Sequence, residues 1–424
     1  MTARFLRYLE KVFGWSAMME RVRDSRQRPQ IPGATILMCL MLMFAMRLKS
    51  LNALEGQLRT VGAWRGLVGP RSPSADTVAR VAAAFDTECL RDFLSEAVHD
   101  LRRNKILADN PWALRFAVFD AHEFFSSRSR HCSQCLVREI AVKGKTVTEY
   151  YHRAVVAHLI GFDLPIVLDI EPLRPGEGEI TAARRLLVHL LARHARSFDA
   201  VAGDALYFEA PLMALCREHG KHLLAVVKED NPALLEEVAA LTKGPPDRER
   251  DEEGRTARYW DVEDLRTDAI QEPFRAVRVE ETWTQRRRVA GQWVEEPCKS
   301  HWVWGTTIPP RLLPARQIRQ VGHQRWRIEN TIFNALSRDW AFDHCFHHDP
   351  AAILNLQLIL CLAHLFVACF RLRNLKDPGL RTLSLIAVTT LILMGLATLA
   401  ARDVPWRALV KKPRQPARAG PAVP

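Results

Sequence analysis

Leu114-Arg115-Phe116-Ala117-Val118-Phe119-Asp120 reads as a short buried strand that delivers a carboxylate at its end. The same device recurs at Ala200-Val201-Ala202-Gly203-Asp204. A third acid lies in a helical stretch, Gln324-Arg325-Trp326-Arg327-Ile328-Glu329-Asn330. A lone aspartate after an apolar run is commonly a turn or a helix cap, so Asp120 and Asp204 gain meaning only together with Glu329. Two strand-end aspartates and a helical glutamate can converge on a pair of divalent cations. Carboxylate oxygens suit hard Mg²⁺ or Mn²⁺, and two such ions can hold the attacking and leaving oxygens of an in-line phosphoryl displacement.

The segments Val118-Phe119-Asp120-Ala121-His122-Glu123, Val201-Ala202-Gly203-Asp204-Ala205-Leu206-Tyr207 and Arg325-Trp326-Arg327-Ile328-Glu329-Asn330, with Phe333-Asn334 behind the last, resemble the DDE transposases of bacterial insertion sequences. The resemblance runs from about Ile31 to Phe370. It implies an α/β, ribonuclease H-like mixed sheet flanked by helices, with the first aspartate on the first strand and the second on the fourth. It also implies a role for each acid: Asp120 bridging two Mg²⁺ or Mn²⁺ ions, with Asp204 and Glu329 each holding one. The expected activity is cleavage at the element's ends and strand transfer to target DNA. Its partners would be double-stranded DNA, as terminal inverted repeats and target, and a second copy of the chain on that DNA. Gly322 and Leu336 stand where the family often has Tyr and Lys, so DNA-end contacts made by those two residues are not carried over. A nuclease of the same fold that does not join strands is the alternative enzyme. A transposase-derived DNA-binding protein without catalysis is the alternative of another class, and the intact acidic triad speaks against it.

Lys and Arg number 60 against 48 Asp and Glu, a net charge of +12 that is compatible with a polyanionic partner. Nine scattered cysteines do not form a secreted disulfide framework, and the first twenty residues lack a signal peptide's continuous apolar core. A bacterial cytoplasmic, nucleoid-associated protein is expected. Leu383 to Ala401 has about the length a bilayer requires, but its threonines, serine and glycine favour a buried or oligomer-facing helix, and no membrane partner is expected.

The chain divides into a helical N-terminal domain (1–110) and the first part of the core (111–243). A β-rich insertion (244–306) follows, then the glutamate helix with the helix after it (307–375), a C-terminal apolar helix (376–410) and a basic disordered tail (411–424). Ser72-Pro73 offers a cap and first-turn proline for a helix to Phe85 that either packs or reads DNA. Strands are expected at Leu114–Phe119, Ala154–Leu159, Pro165–Ile170, Ala200–Ala202 and Leu223–Val227, and a helix at Glu179–Ala195.

Arg325 precedes Glu329 by four residues, one helical turn, and could orient the carboxylate or clamp a phosphate. Arg286, Arg287 and Arg288, flanked by Trp283 and Trp293, form the densest basic patch of the insertion. With Arg128 and Arg130 they are the candidate DNA contacts. Glu123 and Asn330 are candidate supports of the metal shell, beside His122; Tyr207 could contact phosphate, though a buried aromatic is the plainer reading. His131-Cys132-Ser133-Gln134-Cys135 has knuckle spacing but a single Cys pair. A structural zinc needs about four ligands, and the other candidates, Cys298, His344, Cys345, His347 and His348, have no fixed spacing to it, so zinc is not expected. Arg174-Pro175-Gly176-Glu177-Gly178-Glu179 lacks the Lys-Ser/Thr ending of a nucleotide loop and reads as a turn into a helix.

Overall fold

The computed structural model describes residues 1–252, 254–289, 291–326 and 328–399. The basic tail expected at 411–424 lies outside the described residues. Helices α1 (Thr2–Phe13), α2 (Trp15–Glu20), α3 (Gly33–Ala45), α4 (Leu51–Thr60), α5 (Ala63–Val68), α6 (Ala75–Ala84) and α7 (Thr87–Arg103) come first. Strands β1 (Phe116–Ser127), β2 (Leu136–Val142), β3 (Lys145–Leu159) and β4 (Ile166–Pro172) follow, then α8 (Glu179–His194), β5 (Ala200–Gly203), α9 (Ala210–Glu218), β6 (His222–Val226) and α10 (Pro232–Leu241). Next are β7 (Arg248–Glu252), β8 (Arg255–Leu265), β9 (Phe274–Val289) and β10 (Gln292–Thr306), and finally α11 (Ala315–Arg325), α12 (Asn334–Trp340), α13 (Pro350–Cys369), α14 (Pro378–Arg381) and α15 (Leu385–Leu399).

Two compact units result: residues 1–100 with 339–341 and 345–399, and residues 101–338 with 342–344. The first is helical. Its centre is α13, whose apolar window within Pro350–Asn374 is long enough to cross a membrane yet wholly buried, packed against α3 and α6. Asn355 of α13 donates from Nδ2 to the carbonyls of Ala82 and Phe85 at 2.9 and 3.0 Å, tying the helix to the end of α6. In the sequence this helix groups with the glutamate helix as part of the core. Its all-round apolar surface instead serves the helices at the start of the chain, a partnership that periodicity along one helix does not reveal. The cap of α6 is Ser74, not Ser72, its Oγ accepting from Thr77 N, and Val78, Val81 and Ala82 are buried. α15 packs on α1 and α5; Val388, Ile392 and Leu396 are buried while Met394 is exposed.

The second unit is built on a mixed sheet of the ribonuclease H-like type. β1, β3 and β4 form an antiparallel meander, and β5 and β6 add in parallel on the other side of β1, giving the order β4-β3-β1-β5-β6. Each of the expected strands is present, but β3 begins at Lys145 and β1 runs on to Ser127. That extension, with β2 pairing Leu136–Val142 against Lys145–Tyr151, makes a long hairpin beyond the core. With β2 added, the strand before Asp204 is fifth in chain order rather than fourth. The insertion does not stand apart from the sheet, because β10 pairs antiparallel with β6 through Trp304↔Val226 and β9, β8 and β7 extend it further.

Candidate active site

Parallel strands β1 and β5 share three rungs, Phe116↔Ala200, Ala117↔Val201 and Val118↔Ala202. Asp120 and Asp204 each lie two residues beyond the last rung. Because positions i and i+2 of extended chain share a face and neighbouring strands are about 4.8 Å apart, this register brings residues 120 and 204 to the same end of neighbouring strands. β5 stops at Gly203, whereas β1 continues because β3 pairs with it as far as Ser127↔Tyr150. Asp120 is therefore a mid-strand residue, a correction to the strand-end expectation. The strand outlives its apolar run because cross-strand pairing, not burial alone, sustains it.

Asp204 caps the turn Ala205–Tyr207, its Oδ1 accepting from Leu206 N at 3.0 Å. A Cβ on Gly203 would come within 2.5 Å of Tyr207 Cγ, so glycine is what lets the buried Tyr207 ring lie against the strand end. The Tyr207 hydroxyl donates to Glu179 Oε1 at 2.8 Å, and Arg153 pairs with the same carboxylate at 2.7 Å. Tyr207 stays a neutral phenol, its pKa raised well above the ordinary value by burial and by Glu179.

The electrostatics centre on Asp120. Its pKa is pushed up to about 6, first by burial and further by Asp204, Glu179 and Glu329, while the Arg325 guanidinium opposes the rise. Both other sequence-identified acids, Asp204 and Glu329, thus act on Asp120, and a fourth, Glu179 at the first turn of α8, joins them. In the sequence Glu179 reads only as a helix-start charge. The Gly-Glu-Gly-Glu run is the available signal, but nothing local says that the helix begins beside Arg153 of β3 and within electrostatic reach of Asp120.

Arg325 closes α11 and is buried, its Nε without a hydrogen-bond partner among the described residues. Glu329 is exposed on a π-helical turn, Ile328–Phe333, rather than on the α-helix that ends in Arg325. Such wide turns recur at functional sites. His122, two residues on from Asp120, stacks on Phe333 of this turn at 4.5 Å and on Phe342 at 5.6 Å, and its Nε2 lies 2.6 Å from Asp343 Oδ1. α11 itself is anchored from the other side by the fully buried Glu281 of β9, which accepts from Arg319, from His323 at 3.1 Å and from Ser300 Oγ at 2.7 Å. Burial alone would raise the Glu281 pKa, but these partners hold it well below the usual carboxylate range. Asp120 is desolvated and feels three other acids, and carboxylate oxygens are the donors a hard divalent cation takes.

A family profile described as the transposase DDE domain matches residues 141–366, just over half of the chain. The chain belongs to the DDE transposase family. The matched segment contains Asp204, Arg325 and Glu329 and begins after Asp120. A search of curated proteins finds no match. As a transposase, the protein acts on DNA.

The remaining sequence candidates lie in several places. Both Glu123 oxygens accept from Arg138 at 2.8 Å, and Arg138 also pairs with Glu149, so this carboxylate is turned toward β2. Asn330 is exposed beside Glu329 and accepts from Asn334 at 3.4 Å. Arg128 and Arg130 are exposed on the loop after β1. Arg286, Arg287 and Arg288 are exposed near the β9–β10 turn, opposite Glu295, Val294 and Trp293, with Arg286 Nε 3.0 Å from Glu295. Trp326, which reads as a core residue, is 46% exposed beside the site, whereas Phe333 is buried.

Proposed function

We propose that this transposase cuts DNA at the ends of an insertion sequence and joins the freed ends to target DNA at the Asp120–Asp204–Glu329 centre. The observation that carries the reading is the desolvated Asp120, whose charge is opposed by three acids and supported by Arg325. Asp120, Asp204 and Glu329 would hold Mg²⁺ or Mn²⁺. When bound, such ions supply Lewis-acid stabilisation of the oxygens that attack and leave phosphorus.

This chain's residues provide the rest. In the first reaction water attacks the phosphorus, the bond to the 3′-oxygen breaks, and a 3′-hydroxyl and a 5′-phosphate remain. In the second that hydroxyl attacks a target phosphodiester, and the target's 3′-oxygen leaves with the proton. No covalent protein–DNA intermediate is required. Arg325, a cation near Asp120 whose Nε donor has no partner among the described residues, clamps a non-bridging oxygen of the phosphate in both reactions. Tyr207 and Arg153 hold Glu179, which keeps Asp120 surrounded by negative potential. Exposed Arg128 and Arg130, with Arg286 to Arg288, contact the backbone of the element ends, on which two copies of the chain assemble.

The test is cleavage and joining of labelled terminal-repeat DNA in Mg²⁺ or Mn²⁺. Cleavage without joining would favour the nuclease reading, and neither reaction in the presence of tight end binding would favour a DNA-binding protein.

A further inference from the structure

A second cluster of metal-binding side chains lies away from the carboxylates, on the long hairpin beyond the core. Cys132 and Cys135 lie in the turn before β2, and His152 comes from β3, opposite Phe125 of β1. The thiol sulfurs are 3.7 Å apart, and His152 Nε2 is 3.3 Å from each. All three ligand atoms lie within 4.8 Å of one another. Cys135 and His152 are buried, at 6% and 7% exposure.

These separations match a tetrahedral ion. With Zn–S near 2.3 Å and Zn–N near 2.0–2.1 Å, two thiolates on one zinc stand about 3.8 Å apart, and a thiolate and an imidazole nitrogen about 3.5 Å. A disulfide would bring the sulfurs to about 2.05 Å, and all the chain's described cysteines are free. The local backbone already suits thiolates: Cys132 N–H donates to Cys135 Sγ at 3.2 Å, and Cys135 N–H to the Cys132 carbonyl at 3.2 Å, closing the turn. Around the cluster, Phe125 packs on the His152 ring at 5.3 Å, and His131 stacks on Tyr150 at 4.7 Å.

We infer that Cys132, Cys135 and His152 bind one zinc ion as a structural clip that fastens the loop after β1 onto β3. A fourth donor, from solvent or another side chain, completes the tetrahedron. Two soft thiolates and an imidazole select zinc over the Mg²⁺ or Mn²⁺ expected at the carboxylates. The sequence argument against zinc rests on a missing partner for the Cys pair. His152 is that partner, twenty residues from Cys132 in sequence but brought to it by the β2–β3 pairing. The clip fixes the backbone of Arg128 and Arg130, whose segment is otherwise held by Ser127 Oγ accepting from the amides of Ser129 and Arg130.

The test uses the full chain purified without a polyhistidine tag. Elemental analysis should find about one zinc per chain, retained in Asp204→Asn and lost in the Cys132→Ser/Cys135→Ser variant. Co²⁺ exchanged into the native protein should show tetrahedral visible bands and thiolate-to-cobalt charge transfer; this reading does not depend on whether the variant folds. His152→Ala should lower zinc occupancy at least tenfold at limiting free zinc. No zinc before or after reconstitution, full zinc in the double serine variant, cobalt spectra without thiolate charge transfer, or a Cys132–Cys135 disulfide in the freshly isolated protein would each overturn the assignment. All these readouts are independent of DNA cleavage, so they stand or fall apart from the catalytic proposal.

Discussion

Asp120 and Asp204 are neighbours by register: each follows the shared rung Val118↔Ala202 by two residues on adjacent parallel strands. The sheet register thus brings the two backbones together, while the Ala205–Tyr207 turn, which Asp204 caps, sets its carboxylate. Asp204→Asn keeps side-chain size but exchanges an anionic ligand for a neutral amide. Element-end DNA should bind with near-native affinity, while cleavage and joining both fall by at least about a thousandfold, as expected when a principal transition-state charge stabiliser is removed. A binding titration beside a cleavage assay checks this, and normal turnover would remove Asp204 from the metal shell.

The raised Asp120 pKa gives a pH-dependent cost in the metal-free protein. The folded state binds the proton more tightly than the unfolded state, whose carboxyl titrates near 3.8. The associated stability is thus complete below about 4 and lost as pH rises through about 6. Asp120→Asn should therefore be the more stable protein in chelator at pH about 8, by about 3 kcal/mol, with little difference near pH 4. Saturating Mn²⁺ should narrow the gap, since an ion that binds only the native wild-type site stabilises it by mass action. Thermal melts across pH, with and without metal, measure both effects.

Glu281 illustrates the opposite sign. Its pKa is depressed by His323, Ser300 and Arg319 against the effect of burial, so its contribution is present above about 4.5 and is lost as pH falls below that. Glu281→Gln leaves the buried Arg319 without its counter-charge and should cost about 3 kcal/mol. Because Glu281 braces the helix that ends in Arg325, turnover should fall more than DNA binding does. Chemical denaturation and single-turnover cleavage together distinguish this outcome from simple loss of folded protein.

The exposed Arg286, Arg287 and Arg288 give a salt prediction. If each neutralises one phosphate, replacing all three with alanine should flatten the log–log dependence of end binding on salt by about 0.9 per contact. Arg286 already pairs with Glu295, so Arg286→Ala alone should show the smallest change. Anisotropy titrations over a salt series decide it, and an unchanged slope in the triple variant removes the patch from the interface.

What the chain reveals locally differs from what pairing adds. The core strands and α8 are legible because their apolar runs are bounded by Gly, Pro and charge, and the Asp120, Asp204 and Glu329 contexts are short enough to read directly. β2 escaped because Leu136–Val142 alternates as an exposed hairpin strand with no core face to mark it. Glu179 and His152 escaped for a related reason: each acquires its neighbours through sheet register or a helix start, across distances that no local spacing records. The π-helical turn carrying Glu329 is likewise invisible in a pattern that scans as ordinary helix.

Gly203 supplies the last prediction, because it couples the strand end to the fourth acid. A Cβ there would fall 2.5 Å from Tyr207 Cγ and 2.7 Å from its Cβ, and the ring is fully buried and cannot swing into solvent. Gly203→Ala must therefore push the Tyr207 turn outward, at about 1–3 kcal/mol of overpacking. That displacement breaks the hydrogen bond to Glu179 and moves Asp204, whose carboxylate caps the same turn. Tyr207→Phe removes only the hydrogen bond and leaves the turn where it is. If Asp204 placement is what matters, Gly203→Ala should lose cleavage at saturating DNA and Mn²⁺ by more than tenfold beyond Tyr207→Phe. Equal activities in the two variants would mean that the hold on Glu179, not the position of Asp204, is the function of this turn.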